Sequence, residues 1–174
     1  MGQGNLATVG DVVRAVDASR IRDISDALMA VLKDSALPSA VEGMFYTDPS
    51  VMLAPVEVHG LTHLTLGANE EDIAGRYLLS EAGEVFIQGP EGDELRFVNA
   101  RLDHFFAFMS AWNGFVSNPA PVDSSGDVDE DAVIEEGMRL KESLERVDGA
   151  AFSDEETWWS NVFDEVELGV LGPL

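Results

Sequence analysis

Short apolar runs separated by turn-forming residues fill the sequence between residues 41 and 99. The runs are GMFY, VML, THLTL, RYLL, EVFI and ELRFV, and the residues between them include TDPS, EVHG, GANEED, SEAG and GPEGDE. Regularly spaced short runs with Gly, Pro, Asn and Asp in the gaps are typical of strands and turns. SEAG and GPEGD join the last three runs, which predicts an antiparallel meander. We therefore expect residues 41–99 to form a mainly antiparallel sheet of about five or six strands.

Helices are predicted before and after this sheet in the sequence. Within residues 1–36, the stretch SRIRDISDALMAVLKD places Ile21, Ile24 and Leu28 at helical spacing. Within residues 100–113, apolar side chains form one stripe, which predicts a helix whose aromatic face is core rather than a ligand pocket. The stripe consists of Leu102, Phe105, Phe106 and Met109, widened by Phe108 and Trp112. Asn99 precedes this helix and is expected to cap it.

Two acidic helices are predicted within residues 128–168, after the loop SNPAPVDSSGDVDEDA. The first runs from about Glu130 to Val147, with Gly137 as a weak point. The second is expected to begin at Ser153, because Ser153 and Glu156 have the spacing of a capping box. A chain of 174 residues with 45% hydrophobic content supports one core, and the segment after the loop is too short to form a second one. The predicted class is α+β, with residues 1–174 forming a single domain whose sheet is wrapped by helices.

The net charge limits the classes of partner. There are 10 Lys and Arg against 33 Asp and Glu, a net charge of −23, which disfavours contact with nucleic acid or an anionic membrane. A basic protein is the favoured partner, since opposite fields speed encounter. Between Asp123 and Glu167 there are 16 acidic and 3 basic residues, so acid is concentrated there. The alternative is that an acidic surface serves solubility alone.

Two adjacent tryptophans stand in this acidic region. On a helix of about 3.6 residues per turn, Trp159 falls near the middle of the apolar stripe and Trp158 at its margin. Trp159 is therefore predicted to be core, and Trp158 is either a half-exposed core edge or an anchor for a partner. The residues predicted to contact a partner are Asp127, Asp129, Glu130, Asp131, Glu135, Asp154, Glu155 and Trp158.

Catalytic, cofactor and metal sites are not predicted. The chain has no cysteine, so thiol catalysis and thiolate metal sites are excluded. His59 and His63 have the spacing of metal ligands on a helix, but Gly60 and Thr62 favour a turn or strand there. His104 is expected to form a surface pair with Asp103. The acidic run from Asp127 has neither the Gly nor the closing Glu of an EF-hand, so a solvated helix start is the favoured interpretation.

The N-terminal stretch has no charged leader followed by an apolar run, and no segment approaches the roughly 20 apolar residues that span a bilayer. A cytoplasmic location is therefore expected. A monomer is expected when the protein is free.

Residues 38–112 resemble the SUKH superfamily, specifically its fourth subfamily of bacterial immunity proteins. The likeness lies in LPSAVEGMF and in YLLSEAGEVFIQGPEGDELRFVNARLDHFFAFMSAW, where a Gly-Glu-Val strand and a Phe-Val-Asn strand lead into a Phe-rich helix. The tail VDGAAFSDEETWWSNVFDEVELGVL is similar to a D-x-x-A…W pattern that closes many members. The resemblance implies one α+β domain without a catalytic role, and it supplies no site residues.

Members of this family are found beside polymorphic toxins and bind them. The resemblance therefore favours an immunity protein that binds and neutralises a cognate toxin by occlusion. The concentration of acid near the end of the chain favours a basic nuclease or nucleotide-modifying domain as that toxin. The alternative is an intracellular adaptor or regulator of the same fold. An enzyme or a small-ligand protein is a third hypothesis, since fold does not fix function.

Overall fold

The computed structural model describes residues 40–41, 43–47, 51–69, 75–89, 92 and 94–173. The helices predicted within residues 1–36 lie outside these residues. In the described part of the chain, one antiparallel sheet precedes three α-helices, so the α+β class is confirmed.

Seven strands of the described residues form the sheet. They are β1 (Ala40–Val41), β2 (Phe45–Tyr46), β3 (Pro55–Val58), β4 (Leu61–Ala68), β5 (Arg76–Ser80), β6 (Val85–Gln88) and β7 (Leu95–Asn99). The order is β1-β2-β4-β5-β6-β7, and β3 also pairs with β4. Because β5 pairs with one edge of β4, β2 and β3 share its other edge. The predicted meander is confirmed as β5, β6 and β7, so the sheet ends at β7.

Two strand assignments from the sequence are wrong. The run VML is a turn, in which Leu53 has a φ of 59° and donates its N–H to the carbonyl of Thr65 at 2.7 Å. Met52 and Leu53 are fully buried, so these side chains are apolar to fill the core and not to form a strand. Of the stretch EVHG, which was expected to be a turn, Glu57 and Val58 lie in β3, whereas His59 and Gly60 form the turn before β4. Pro55 concealed this strand, because Pro is confined to positions such as the first residue or the edge of a sheet.

The helices are α1 (Leu102–Ser117), α2 (Glu130–Glu145) and α3 (Trp158–Glu167), with a short 3-10 helix at Gly149–Phe152 before α3. The capping predictions are wrong. Arg101, and not Asn99, occupies the N-cap position of α1. The last helix does not begin at Ser153, because residues 153–157 form turns in which the carboxylate of Asp154 accepts the N–H of Glu156 at 2.9 Å.

The core lies between the sheet and the helices α1 and α3. Every residue of the predicted stripe on α1 is buried, which confirms the stripe as core. The rings of Phe105 and Tyr77 pack α1 on the sheet, with centroids 5.3 Å apart. Phe108 and Trp159 pack α1 on α3, with centroids 5.2 Å apart. The sheet and both helices therefore share one aromatic interior.

α2 packs against α3 in the antiparallel sense. Gly137 of α2 is buried, and a Cβ built on it would lie 2.4 Å from Val166 near the end of α3. Ile134, closer to the start of α2, approaches Gly169 beyond that end. Gly137 was predicted to be a weak point, but in the structure its missing side chain allows the two helices to pack closely. The start of α2 therefore lies near the end of α3.

Candidate partner-binding surface

Acidic side chains cover the outside of α2, α3 and the loops next to them. Between Asp123 and Glu167, 14 of the 16 acidic residues are exposed. The exceptions are Asp129, which is half-buried, and Asp148, which is buried. The concentration of acid seen in the sequence is therefore a property of the surface.

Basic residues offset little of this charge. Arg139 pairs with Glu135 one turn away on α2, and the Nε–H of Arg146 donates to the main-chain oxygen of Glu142 at 2.9 Å. Exposed pairs of this kind contribute about 0–1 kcal/mol and are screened by salt. The outer face of the two helices therefore keeps a negative field.

The first group of predicted contact residues lies at the start of α2. Asp127, Glu130 and Asp131 are exposed, and Glu135 is exposed but engaged with Arg139. Asp129 has a structural role, because it is the N-cap residue and its carboxylate accepts the N–H of Ala132 at 3.0 Å. This cap fixes where α2 begins and so positions the other carboxylates of the group.

The loop before α2 is ordered by its own acid. The carboxylate of Asp123 accepts the hydroxyl of Ser125 at 2.7 Å and the main-chain N–H groups of Ser125 and Asp127 at 2.8 and 3.1 Å. The Ser125 hydroxyl first, and then these N–H groups, lower the pKa of Asp123. These hydrogen bonds therefore favour the ionised form of the Asp123 carboxyl group.

The second group of predicted residues lies at the opposite end of α2. Asp154 and Glu155 are exposed and lie beside Lys141, near the end of α2, and Asp164 of α3. Since α2 and α3 are antiparallel, this group is separated from Asp127 by the length of α2. The predicted residues thus form two acidic groups rather than one.

The two tryptophans divide as the helical spacing predicts. Trp159 has no exposed surface and packs on Phe108, Trp112 and Phe163, so its assignment to the core is confirmed. Trp158 is half-buried at the edge of the core, edge-on to Tyr77 with centroids 6.2 Å apart. A role of Trp158 in partner contact stays a prediction.

Tyr77 is a fully buried phenol beneath Trp158. Its hydroxyl donates to the carbonyl of Met44 at 3.1 Å, and burial raises its pKa, an effect that the nearby indole of Trp158 opposes. The indole N–H is shielded from solvent but is not aligned for a hydrogen bond with any described residue. Trp158 is therefore held by packing rather than by a hydrogen bond.

A buried polar cluster, formed by Asn99, Asp148 and Trp159, connects the sheet to α3. The side chain of Asn99 donates to Asp148 Oδ2 at 3.1 Å and accepts the indole N–H of Trp159 at 3.2 Å. Asp148 Oδ2 also accepts the main-chain N–H of Ala100 at 2.9 Å. Asn99 was predicted to cap a helix, but it instead joins β7 to α3. This cluster orients α3 and the acidic segment before it.

The sequence contained one signal for this cluster. The D-x-x-A…W pattern of the tail begins at Asp148, and Ala151 and Trp159 are both fully buried. The pattern indicated that these residues belong together but not that Asn99 joins them. Asn99 precedes Asp148 by 49 positions, so that contact depends on tertiary structure.

The predicted surface pair of Asp103 and His104 is wrong. Asp103 instead forms a bidentate pair with Arg101, with two N···O distances of 2.8 Å. The hydrogen bond from Arg101 is the main reason that the pKa of Asp103 is lowered. His104 turns inward, and its Nδ1 lies 3.3 Å from Asp148 Oδ2 without the alignment of a hydrogen bond. The two side chains lie on different faces of α1 because adjacent residues on a helix do not share a face.

Residues 153–156, here called the acidic ridge, separate two clefts. The edge cleft, of about 470 Å³, lies between this ridge and β7, and Leu95 and Phe97 are among its lining residues. The helix cleft, of about 580 Å³, lies between the ridge and the helices α2 and α3. Asp154 and Glu156 line both clefts. A basic side chain on either side of the ridge would therefore meet carboxylates.

Trp158 belongs to a third and larger opening, the tryptophan groove of about 950 Å³. Trp158, Trp112 and Val116 supply apolar surface, and Glu165 supplies acid. Trp158 is therefore not beside Asp154 and Glu155 in one cleft, although the sequence places it only a few residues away.

The histidines take no part in these clefts. His59 lies in the turn between β3 and β4 with a φ of 51°, and His63 is buried in β4, so the predicted turn and strand positions are confirmed. None of the three histidines lines the edge cleft, the helix cleft or the tryptophan groove. In the described part of the chain, no group of three or more His, Cys, Asp or Glu side chains is arranged to hold a metal ion.

None of the described helices is both long enough and apolar enough to cross a bilayer.

Comparison with known proteins identifies a family. Neither the curated proteins nor the solved structures contain a match to this chain. Among protein families, the one described as SUKH-4 immunity protein matches residues 28–165. This match confirms the resemblance seen in the strand and helix motifs, and it covers most of the chain, including the sheet, the helices and the buried polar cluster. The chain therefore belongs to the SUKH-4 immunity protein family.

Proposed function

We propose that this chain binds a basic toxin, a nuclease or a nucleotide-modifying domain, and neutralises it by covering its working surface. The observation that carries the proposal is the acidic surface of α2, α3 and the loops next to them, where 14 of the 16 acidic residues between Asp123 and Glu167 are exposed. Enzymes that act on nucleic acids or nucleotides bind phosphate groups with Lys and Arg. A rigid face of carboxylates presents similar charge to the same side chains.

Family membership supports the broader part of this proposal. It indicates a role in toxin immunity and thus a protein toxin as partner. The proposal adds the basic character of that toxin and the mechanism of occlusion, which needs no catalysis by this chain. It treats residues 1–174 as one immunity domain that is monomeric when free, avoids nucleic acid and acts in the cytoplasm.

The salt dependence of association tests the proposal. The probe is the toxin domain encoded beside the gene for this chain, mixed with the full-length protein in stopped flow. Because opposite fields accelerate encounter and salt screens them, we expect the association rate to fall roughly tenfold or more between low and high salt. Absence of a stable complex with this toxin, or a rate insensitive to salt, would contradict the proposal.

Two variants that change the charge of α2 in opposite directions make the test specific. The triple change Glu130→Gln, Asp131→Asn and Glu136→Gln removes exposed acid, and we expect it to slow association several-fold with little change in thermal unfolding. Arg139→Gln is the matched control, because it removes a positive charge from the same helix and should speed association. If both variants shift the rate in the same direction, the field of this face does not govern the encounter.

A further inference from the structure

β7 is an edge strand whose outer side is open along the edge cleft. It pairs with β6 on one side and is the last strand in the sheet order. Its residues Leu95 and Phe97 are half-buried and line the cleft, and the acidic ridge lies on the far side. An exposed edge strand presents unpaired N–H and C=O groups to which another strand can add.

The register identifies which groups of β7 are open. The N–H of Gly89 donates to the carbonyl of Glu94 at 3.0 Å, and Ile87 is opposite Arg96. Because hydrogen-bonded and non-hydrogen-bonded pairs alternate in an antiparallel ladder, Leu95 and Phe97 direct their N–H and C=O groups away from β6. In the part of the chain that the structure describes, no residue bonds these four groups.

The open stretch has a defined end. The main-chain N–H of Ala100 is occupied by the carboxylate of Asp148 at 2.9 Å. The buried polar cluster therefore closes the edge just beyond β7, and the free donors and acceptors are confined to the part of β7 that faces the edge cleft.

The other edges of the sheet are less suited to strand addition. β3 begins at Pro55, which has no N–H to donate, and carries the exposed Glu57. β1 has two residues. Pro, charges and short length are common ways of protecting sheet edges. β7 has five residues and no Pro, and its one charged residue, Arg96, is half-buried and lies 3.8 Å from Glu94.

The charge of the edge cleft selects the kind of segment that could add. Its lining includes the carboxylates of Glu84, Glu94, Asp154 and Glu156 and one cation, Arg96, which lies 3.8 Å from Glu94. A segment with Lys or Arg side chains would be attracted. A second copy of this chain would place the same carboxylates against each other, so self-pairing is disfavoured.

We propose that β7 accepts an extended, Lys- or Arg-containing segment of the partner as an additional strand. Main-chain hydrogen bonds to Leu95 and Phe97 supply affinity, as in other strand-addition complexes, and the carboxylates beside the cleft select basic side chains. The identification of this partner with the toxin rests on the proposed function, whereas the strand-accepting edge does not.

A proline placed on the open edge tests the proposal in the toxin complex. Leu95→Pro removes an N–H that points away from β6, so folding is expected to tolerate it, whereas a bound strand would lose a hydrogen bond and meet the Pro ring. We expect Leu95→Pro to weaken toxin binding roughly tenfold or more relative to Leu95→Ala, the control for the lost side chain. Equal affinities of the two folded variants would overturn the proposal while leaving the proposed function intact.

A peptide measurement is independent of both the toxin and the Pro variant. The probe is acetyl-KVKVKVK-amide, added to the full-length wild-type protein at low salt. We expect amide exchange at Leu95 and Phe97 to slow at least tenfold in the complex, and backbone N-methylation of the peptide to weaken binding by a similar factor. Replacing each Lys of the peptide by Glu should abolish binding.

The contrary outcomes are distinct. Equal binding of the plain and N-methylated peptides would show attraction to the acidic surface without strand addition, and would overturn the proposal. A dimer of the free protein that Leu95→Pro dissociates would assign this edge to self-pairing and also overturn it. Failure of the toxin to bind while the peptide protects Leu95 and Phe97 would reject the proposed toxin and retain the strand-accepting edge.

Discussion

The interior around Trp159 and the acidic exterior of α2 differ in how their polar groups are satisfied. In the interior, Asn99 bonds both Asp148 and Trp159 and so joins three segments of the chain. On the exterior, exposed carboxylates stand mostly without basic partners, and the pair of Glu135 and Arg139 is one of few ion pairs between described residues. Polar groups in the interior therefore determine the fold, whereas those on the exterior are available to another molecule.

Acidic residues lie at both ends of α2, although the helix dipole favours them at only one end. Glu130 and Asp131 lie in its first turn, where the helix dipole favours acid. Glu142 and Glu145 lie near its last turn, where the dipole disfavours acid, and that turn has no basic residue. Stability alone accounts for the first pair but not for the second. The second pair is the acid for which the proposed function would give a reason.

The largest difference in stability between interior and edge is expected at the adjacent tryptophans. Trp159→Ala should lower the free energy of unfolding by about 3–5 kcal/mol, because it leaves a cavity among Phe108, Trp112 and Phe163 and removes the donor to Asn99. Trp158→Ala should cost about 1–2 kcal/mol, because Trp158 is half-buried. Urea unfolding of both variants measures the difference.

Equal losses for the two tryptophans would contradict the division between interior and edge. Trp158→Ala also tests partner contact, since faster dissociation of the folded variant from the toxin would make Trp158 an anchor. An unaltered dissociation rate would leave it as the edge of the core.

A smaller difference in stability is expected at two helical glycines. Gly137→Ala should destabilise by about 1–3 kcal/mol, because the new Cβ would lie 2.4 Å from Val166 and force α2 away from α3. Gly114→Ala in α1 is the matched control, because Gly114 is exposed and a Cβ there meets nothing within 4 Å. The control should gain up to about 1 kcal/mol from helix propensity. Thermal unfolding that shifts the two variants in the same direction would contradict the packing of α2 on α3.

Patterns within one element could be predicted from the sequence, whereas contacts between elements could not. The meander β5 to β7 and the stripe on α1 depend on local spacing, and both were predicted. The roles of Asn99 and Gly137 depend on what lies across the interface: local preference assigned Asn99 wrongly to a cap, and for Gly137 it gave only a low helix propensity and not the close packing of α2 on α3. β3 was missed for a related reason, since Pro55 resembles a turn until its position at a sheet edge is known.

The candidate surface could likewise be predicted from the sequence only where it depends on composition or local spacing. The sequence located the acid and separated Trp158 from Trp159, because both follow from composition and helical spacing. It did not show that Asp127 and Asp154 lie at opposite ends of α2, or that the ridge near Asp154 faces β7. The open groups of β7 could not be inferred either, because their direction depends on which pairs of the ladder are hydrogen-bonded.

The smallest expected effect concerns the two ends of α2. Glu142→Gln with Glu145→Gln should raise the free energy of unfolding by a few tenths of a kcal/mol, because it removes acid from the negative end of the helix dipole. Glu130→Gln with Asp131→Asn removes the same charge from the positive end and should lower it by a similar amount. Chemical unfolding of paired samples at low salt shows whether the free energy of unfolding rises or falls in each variant.

If acid near the last turn of α2 is kept for a partner, the variant with Glu142→Gln and Glu145→Gln should gain stability and yet associate more slowly with a basic toxin. A variant that gains stability and associates at the wild-type rate would separate this acid from the partner, and the charge at that end of α2 would then be explained by solubility alone.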